Sequence, residues 1–133
     1  MKVISLLQLP RHYANAGQHA EQVARFTLTG EICKADNIPH EAGGDIGRLQ
    51  VKSARASVCA GTDLQSYLDK DGATAWGYVM ADFSRMFVMD KAEWMAFCEQ
   101  FGYVTYESQK NGGGEKIRLK SESKKMVQWL MAH

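Results

Sequence analysis

Apolar residues recur at helical spacing most clearly in two parts of the chain. From Ala16 to Thr29 they fall on one face, after the capping residue Asn15 and before the terminator Gly30. Glu21 lies along the edge of that face. A second helix begins after Asp90, which forms a capping box with Glu93, and it carries large apolar residues at i, i+3, i+4 and i+7: Trp94, Phe97, Cys98 and Phe101.

Two further helices are predicted with weaker signals. A short one runs from Asp63 to Asp69, and a closing helix begins at Ser121 or Ser123 and buries Met126, Val127, Leu130 and Met131. Gly102 is expected to end the helix that follows Asp90.

Apolar and β-branched segments between the glycines predict strands. They are Glu31–Asn37, Glu41–Ile46, Arg48–Ser53, Thr74–Met80 and Arg85–Met89, followed by a hairpin of Tyr103–Ser108 with Lys116–Lys120 around the glycine run 112–114. The order of helices and strands favours an α/β or α+β fold with one central mixed sheet.

Length and composition predict a single soluble domain over residues 1–133. The chain has 45% hydrophobic and 23% charged residues, and no apolar run approaches the ~20 residues that span a bilayer. We therefore expect no membrane partner, and we interpret the short apolar segment Val3–Leu9 as part of the domain rather than a signal peptide. The three cysteines form no CxxC pair, which indicates reduced thiols and a cytoplasmic protein.

Charge is unevenly distributed although the formal net charge is only +1. Residues 1–109 contain 10 basic and 13 acidic residues, whereas Lys110–Lys125 contains 6 basic and 2 acidic residues. A basic segment of this kind provides a footprint for phosphates, but a solvated basic edge has the same composition.

The stretch from Gly43 to Ser53 combines an alternating apolar pattern with polar residues that are suited to chemistry. Gly47-Arg48 fits a two-residue type II′ hairpin loop, which would place Asp45 opposite Gln50, with Lys52 on the same face. Ile46, Leu49 and Val51 would then face the core. A carboxylate, a carboxamide oxygen and an ammonium on one face predict a hard divalent cation beside a lysine, in outline a phosphodiester-hydrolysing site.

The spacing of Asp45, Gln50 and Lys52 on a hairpin, after a helix with an inward Glu21, resembles the PD-(D/E)xK nuclease superfamily. Within it, the pattern is most similar to small phage and bacterial members, and to the methyl-directed restriction branch, in which Gln often replaces the second acid. The resemblance implies a restriction-endonuclease-like mixed β-sheet flanked by helices, and cleavage of DNA with Mg²⁺, or Mn²⁺ in its place. It implies that Asp45, Gln50 and Glu21 hold the metal and that Lys52 is catalytic.

The sequence departs from the family pattern at two positions. Gly44 replaces the expected Pro before Asp45, and Gln50 is neutral, which predicts weaker metal binding. The alternative is therefore a non-catalytic module that binds nucleic acid or protein on a nuclease-like fold. A salt-bridged or solvated hairpin face would show the same residues without any site.

Contacts to DNA are expected from residues around the hairpin and in the basic segment. The candidates are Arg48, Ser53, Arg55, Lys116, Arg118 and Lys120. Because so small a chain cannot encircle a duplex alone, we expect a homodimer with one cut per strand.

Other motif classes are absent from the sequence. The histidines have no zinc spacing, Cys33 and His40 lack a second pair, and the glycine run 112–114 is not a phosphate-binding loop because no Gly-Lys-Ser/Thr follows it.

Overall fold

The structure of the chain is a computed structural model, which describes residues 1–10, 15–31, 45–111 and 113–133. Its helices are α1 (Ala16–Thr29), α2 (Leu64–Lys70), α3 (Lys91–Phe101) and α4 (Lys124–Ala132). Its strands are β1 (Lys2–Ser5), β2 (Leu49–Ser53), β3 (Ser57–Ala60), β4 (Ala75–Val79), β5 (Arg85–Met89), β6 (Gly102–Glu107) and β7 (Gly114–Leu119).

The helix boundaries confirm the capping residues predicted from the sequence. Asn15 accepts a hydrogen bond from the Gln18 N–H and begins α1, and Gly30 ends it in the left-handed conformation. Asp90 and Glu93 form both halves of the capping box of α3. Ser123, rather than Ser121, caps α4. Local side-chain-to-backbone hydrogen bonds thus fix these ends.

The strands of the described residues form two sheets, so the prediction of one central sheet is wrong. A mixed four-stranded sheet has the order β1-β5-β4-β2, with β2 parallel to β4 and the other pairs antiparallel. An antiparallel three-stranded sheet has the order β3-β7-β6. The coarse α/β class is confirmed.

The second sheet exists because the chain turns away from the first one directly after β2. Arg55 has a φ of +63°, and the Ala56 N–H bonds the Ser53 carbonyl to close the turn. Few non-glycine residues adopt a positive φ, and the sequence pattern did not predict it. The turn leads β3 to pair with β7 instead of β2.

Apolar residues fill both faces of the four-stranded sheet. On one face, α1 packs Ala20, Val23 and Ala24 against Val51, Val79 and Met86. The opposite face joins the larger cluster, to which α2, α3, α4 and the second sheet also contribute. Its large buried side chains include Trp76, Trp94, Tyr78, Phe87 and Phe97. The two sheets therefore share one apolar cluster.

Two cysteines lie in the larger cluster. Cys59 and Cys98 are buried free thiols, and burial raises the pKa of both. Cys33 lies outside the described residues. Within the described ranges, no helix is long and apolar enough to cross a bilayer.

Candidate functional site

A tight hairpin loop precedes β2, as the sequence predicts. Ile46 and Leu49 form an antiparallel bridge with both backbone hydrogen bonds, at 3.1 and 3.0 Å. Gly47 has a φ of +59° and Arg48 has a negative one, as a type II′ loop requires. The predicted turn at Gly47-Arg48 is confirmed, but the pairing across it is limited to the single Ile46–Leu49 bridge among the described residues. Gly43 and Gly44 lie outside the described residues, as do the strand predictions for 32–37 and 41–44.

The two faces of β2 separate apolar from polar side chains. Ile46, Leu49 and Val51 belong to the cluster under α1, as predicted. Gln50 and Lys52 alternate with them and occupy the opposite face of the strand, where both are half-buried.

Asp45 lies at the edge of β2 rather than opposite Gln50. Its Oδ2 accepts a hydrogen bond of 2.8 Å from the Val51 N–H, and its side chain is buried, with 6% exposure. The Arg25 guanidinium, from α1, donates to the Asp45 carbonyl oxygen. The prediction that Asp45 stands across the ladder from Gln50 is therefore wrong. The Asp45 N–H bonds the Leu49 carbonyl, and the carboxylate turns to the Val51 backbone.

Glu21 reaches this edge from α1. The Glu21 carboxyl lies close enough to the Asp45 carboxylate for the charge of Asp45 to act on it, which agrees with the expected approach of the two acids. The pKa of Glu21 is raised to about 7, mainly by burial and then by the negative charge of Asp45. The positive charges of Lys52 and Arg25 partly oppose this increase. At pH 7 the Glu21 carboxyl is therefore protonated in about half of the molecules.

Lys52 extends from β2 toward the same edge. Its Nζ donates a hydrogen bond of 3.1 Å to the Ser57 carbonyl, and its charge is close enough to lower the pKa of Glu21. Among the described residues it forms no salt bridge within 4 Å. A backbone carbonyl therefore orients the ammonium beside the two acids without neutralising it.

The Gln50 side chain points to a pocket of about 380 Å³, lined also by Tyr67, Lys70, Asp71 and Gly72. Its carboxamide makes no hydrogen bond to any part of the chain that the structure describes. The structure therefore brings Glu21, Asp45 and Lys52 together and places Gln50 next to them on β2, two residues before Lys52.

The carboxylate oxygens of Glu21 and Asp45 suit a hard cation, but two carboxylates are too few to complete its coordination shell. Two carboxylates at one point are oxygen ligands of the kind that Mg²⁺ and Mn²⁺ bind. No group of three or more His, Cys, Asp or Glu suited to a metal occurs within residues 1–10, 15–31, 45–111 and 113–133. A cation here would need the Gln50 oxygen, a backbone carbonyl or water to complete its shell.

Of the three residues near the hairpin that are expected to contact DNA, two are exposed and one is buried. Arg48 is exposed at the hairpin loop, and Arg55 is exposed in the turn after β2, where its Nε bonds the Ser121 hydroxyl. Ser53 is buried, with 7% exposure. Its position at the end of β2 turns it to the α1 face, so the prediction that its hydroxyl contacts DNA is not supported by the geometry.

The candidates of the basic segment lie on β7 and just after it. Lys116 and Arg118 alternate with the inward residues Ile117 and Leu119, and Lys120 is exposed. Arg118 is already engaged, because its Nε is 2.5 Å from Glu107 Oε1 and its Nη1 bonds the Arg55 carbonyl. Glu107 lies outside the basic segment, so counting acids within the segment overlooked this partner.

Arg25 is the residue of the site that sequence reasoning missed. It lies one helical turn after Glu21, so both residues reach Asp45 from the same face of α1. The sequence signal for Arg25 is its charge, because it lies within an apolar face four positions after the candidate acid Glu21.

Comparison of the chain with protein-family models, with curated proteins and with solved structures finds no match.

Proposed function

We propose that the protein is a metal-dependent endonuclease that hydrolyses phosphodiester bonds in DNA. The observation that carries this proposal is the buried Asp45 carboxylate at the edge of β2, with Glu21 close enough to interact with its charge and the oriented ammonium of Lys52 beside them. The three side chains come from α1, the hairpin and β2, which is the set of positions that the resemblance to the PD-(D/E)xK superfamily implies.

The proximity of the two acids argues for a site rather than for a packing device. A half-buried glutamate beside a buried aspartate places two groups that repel each other when ionised, and burial penalises the charged form of each. An apolar residue at position 21 would pack α1 on β2 without that cost. A divalent cation between the acids would remove the repulsion, so the arrangement suits cation binding.

The remaining groups have separate roles in the proposed reaction. The bound metal would polarise the scissile phosphate and lower the pKa of a water molecule. Glu21 and Asp45 would hold it, and Gln50 would add a neutral oxygen ligand. Lys52 would place its ammonium where negative charge develops on the phosphate in the transition state. Arg25 would keep the Asp45 backbone in place.

A non-catalytic module that binds nucleic acid or protein is the second candidate. The placement of Gln50 favours this function, because its carboxamide lines the neighbouring pocket. Only the carboxylates of Glu21 and Asp45 then remain as charged ligands at the edge of β2, among the described residues. In that case the basic segment and the pocket would hold a ligand, and the acid pair would only bind a structural cation or a proton.

The assembly that cuts DNA is proposed to be a homodimer. A chain of 133 residues is too small for one copy to contact both strands of a duplex around its circumference. Sedimentation of the protein with and without DNA tests this separately from cleavage.

Cleavage of a panel of DNA structures separates the two functions. Supercoiled plasmid, linear duplex, a four-way junction, a flap and a single strand are incubated with wild type and with Asp45→Ala, in Mg²⁺, in Mn²⁺ and in EDTA. We expect metal-dependent cuts of at least one substrate by wild type and none by Asp45→Ala. Binding without cleavage of any substrate in either metal would leave the binding module as the function.

A further inference from the structure

The pocket beside the candidate site, named here the Gln50 pocket, has walls of several chemical kinds. Tyr67 provides an aromatic ring, Lys70 an ammonium, Asp71 a carboxylate and Gln50 a carboxamide, while Gly72 leaves its own position without a side chain. Its volume of about 380 Å³ lies within the range of small-ligand sites. A flat heterocycle with both donors and acceptors, attached to an anionic group, matches this combination.

Several polar groups of the Gln50 pocket are available to a ligand. Over the described ranges, the Tyr67 hydroxyl, the Lys70 ammonium and the Gln50 carboxamide have no hydrogen-bond or ion-pair partner, and Tyr67 is 39% exposed, so its ring is accessible. Asp71 uses Oδ1 to accept from the Ala73 N–H, at 3.1 Å, which leaves Oδ2 for another donor. Burial raises the pKa of the Tyr67 hydroxyl, so it stays a neutral donor.

The position of the Gln50 pocket connects it to the proposed chemistry. Gln50 and Lys52 share a face of β2 and are separated by two residues, which is about 7 Å along a strand. If the phosphate of one nucleotide lies at Lys52, the adjacent nucleotide of the same DNA strand can therefore reach the Gln50 pocket.

We propose that the Gln50 pocket binds an unpaired nucleobase of the DNA strand that passes Lys52, with Tyr67 stacked on the base and Lys70 on a phosphate. This inference rests on the proposed function, since it names the substrate class of that site as DNA with an unpaired base. A base inside an intact duplex is stacked between its neighbours and cannot enter such a pocket without being extruded. Asp71 and Gln50 supply the acceptor and donor that contact the edge of the base.

The test measures DNA binding in EDTA, so that it does not depend on cleavage. Fluorescence anisotropy gives the affinity of a short single-stranded oligonucleotide and of the duplex of the same sequence. We expect wild type to prefer the single strand. Tyr67→Ala should weaken single-strand binding about 5- to 150-fold, the usual effect of one lost base–aromatic stack, and leave duplex binding nearly unchanged. Tyr67→Phe, which keeps the ring, should retain most of the affinity.

Lys70→Ala provides a second measurement that does not change the aromatic ring. It should flatten the salt dependence of single-strand binding by about 0.7 in log–log slope, whereas Lys2→Ala, at an exposed position of β1, should not. Equal affinities of wild type and Tyr67→Ala for the single strand, or a wild type that binds neither DNA, would overturn the proposal. If binding behaves as expected and no DNA is cut, the pocket stands and the endonuclease fails. If DNA is cut and Tyr67→Ala binds the single strand with wild-type affinity, the endonuclease stands and the pocket proposal fails.

Discussion

At the residue scale, the raised pKa of Glu21 couples the stability of the fold to pH. Because the pKa of Glu21 is raised from 4.5 to about 7 in the folded protein, the folded state binds more protons than the unfolded state between these values. The stabilisation is complete below pH 4.5 and is lost as the pH rises through 7. Burial of the neutral acid is the main cause, so a neutral isostere removes the effect.

Glu21→Gln should therefore flatten the pH dependence of the unfolding temperature between about pH 4.5 and 7, since Gln has no proton to lose. Thermal unfolding across that range, with Mg²⁺ and with EDTA, measures it. Mg²⁺ at pH 7 should raise the unfolding temperature of wild type more than that of the variant. Glu115→Gln, at an exposed position of β7, is the matched control. Parallel pH curves for wild type and Glu21→Gln would show that Glu21 does not titrate in this way.

The neutral Gln50 allows a substitution that is expected to improve the site. Gln50→Glu adds a carboxylate next to Asp45 and Glu21, which should tighten Mg²⁺ binding, while cleavage is retained or rises. Isothermal titration with Mg²⁺ measures the first effect, and plasmid nicking the second. If Mg²⁺ affinity does not change, Gln50 serves the pocket alone and is no metal ligand.

Individual residues of the site differed in how well the sequence predicted them. Glu21 and Lys52 followed from spacing along a helix and a strand, which fixes the face of each residue. The orientation of Asp45 did not follow, because its carboxylate could bond either a cross-strand side chain or a backbone N–H. The sequence shows that Arg25 lies four residues after Glu21. It does not show that the Arg25 guanidinium donates to the Asp45 carbonyl.

At the element scale, β7 carries the basic side chains that are expected to contact phosphates. Replacing Lys116, Arg118 and Lys120 with Ala should weaken DNA binding for all sequences and flatten the salt slope by up to ~0.9 per lost contact. Arg118 should contribute least to that change, since Glu107 already neutralises it. Anisotropy titrations across a salt series measure the slope. An unchanged slope in the triple variant would show that this strand is merely solvated.

The junction of α3 and β6 leaves no room for a side chain. A Cβ at Gly102 would clash with the carbonyl oxygen of Cys98 and lie 3.0 Å from Ile117 Cγ2. Gly102→Ala should therefore destabilise the protein by about 1–3 kcal/mol, the usual effect of overpacking. Gly17→Ala, in the first turn of α1, meets only Asn15 Oδ1 at 3.4 Å and should be neutral or stabilising. Urea unfolding of both variants compares them, and equal losses would contradict the steric argument.

Element boundaries were predictable where a side chain or a glycine sets them, as at Asn15, Asp90 and Gly102. β3 was not predicted, since the polar residues around Arg55 indicated a loop. Its identity as a strand depends on β7, almost sixty residues later along the chain. Local patterns contain no information about such a partner.

At the scale of the whole molecule, the arrangement of strands was the least predictable feature. Adjacent strands in sequence usually pair, which favoured one sheet. Instead β2 pairs in parallel with β4, and β3 with the following hairpin forms a second sheet. This arrangement leaves β2 as the outer strand of its sheet among the described residues, with the acids at its edge and the Gln50 pocket on one face.

Lys52 distinguishes the endonuclease from a binding module, because a structural lysine and a catalytic lysine predict opposite effects of its removal on cleavage. The decisive measurement is the single-turnover rate of metal-dependent DNA cleavage by wild type and Lys52→Ala, with DNA affinity and unfolding temperature measured on the same samples. An ammonium that acts on the transition state changes the rate rather than the affinity. We predict that cleavage slows by ~10²-fold or more while fold and DNA affinity are retained. Cleavage by Lys52→Ala at the wild-type rate would contradict a catalytic role for Lys52. The absence of cleavage by wild type with either metal would contradict the endonuclease itself.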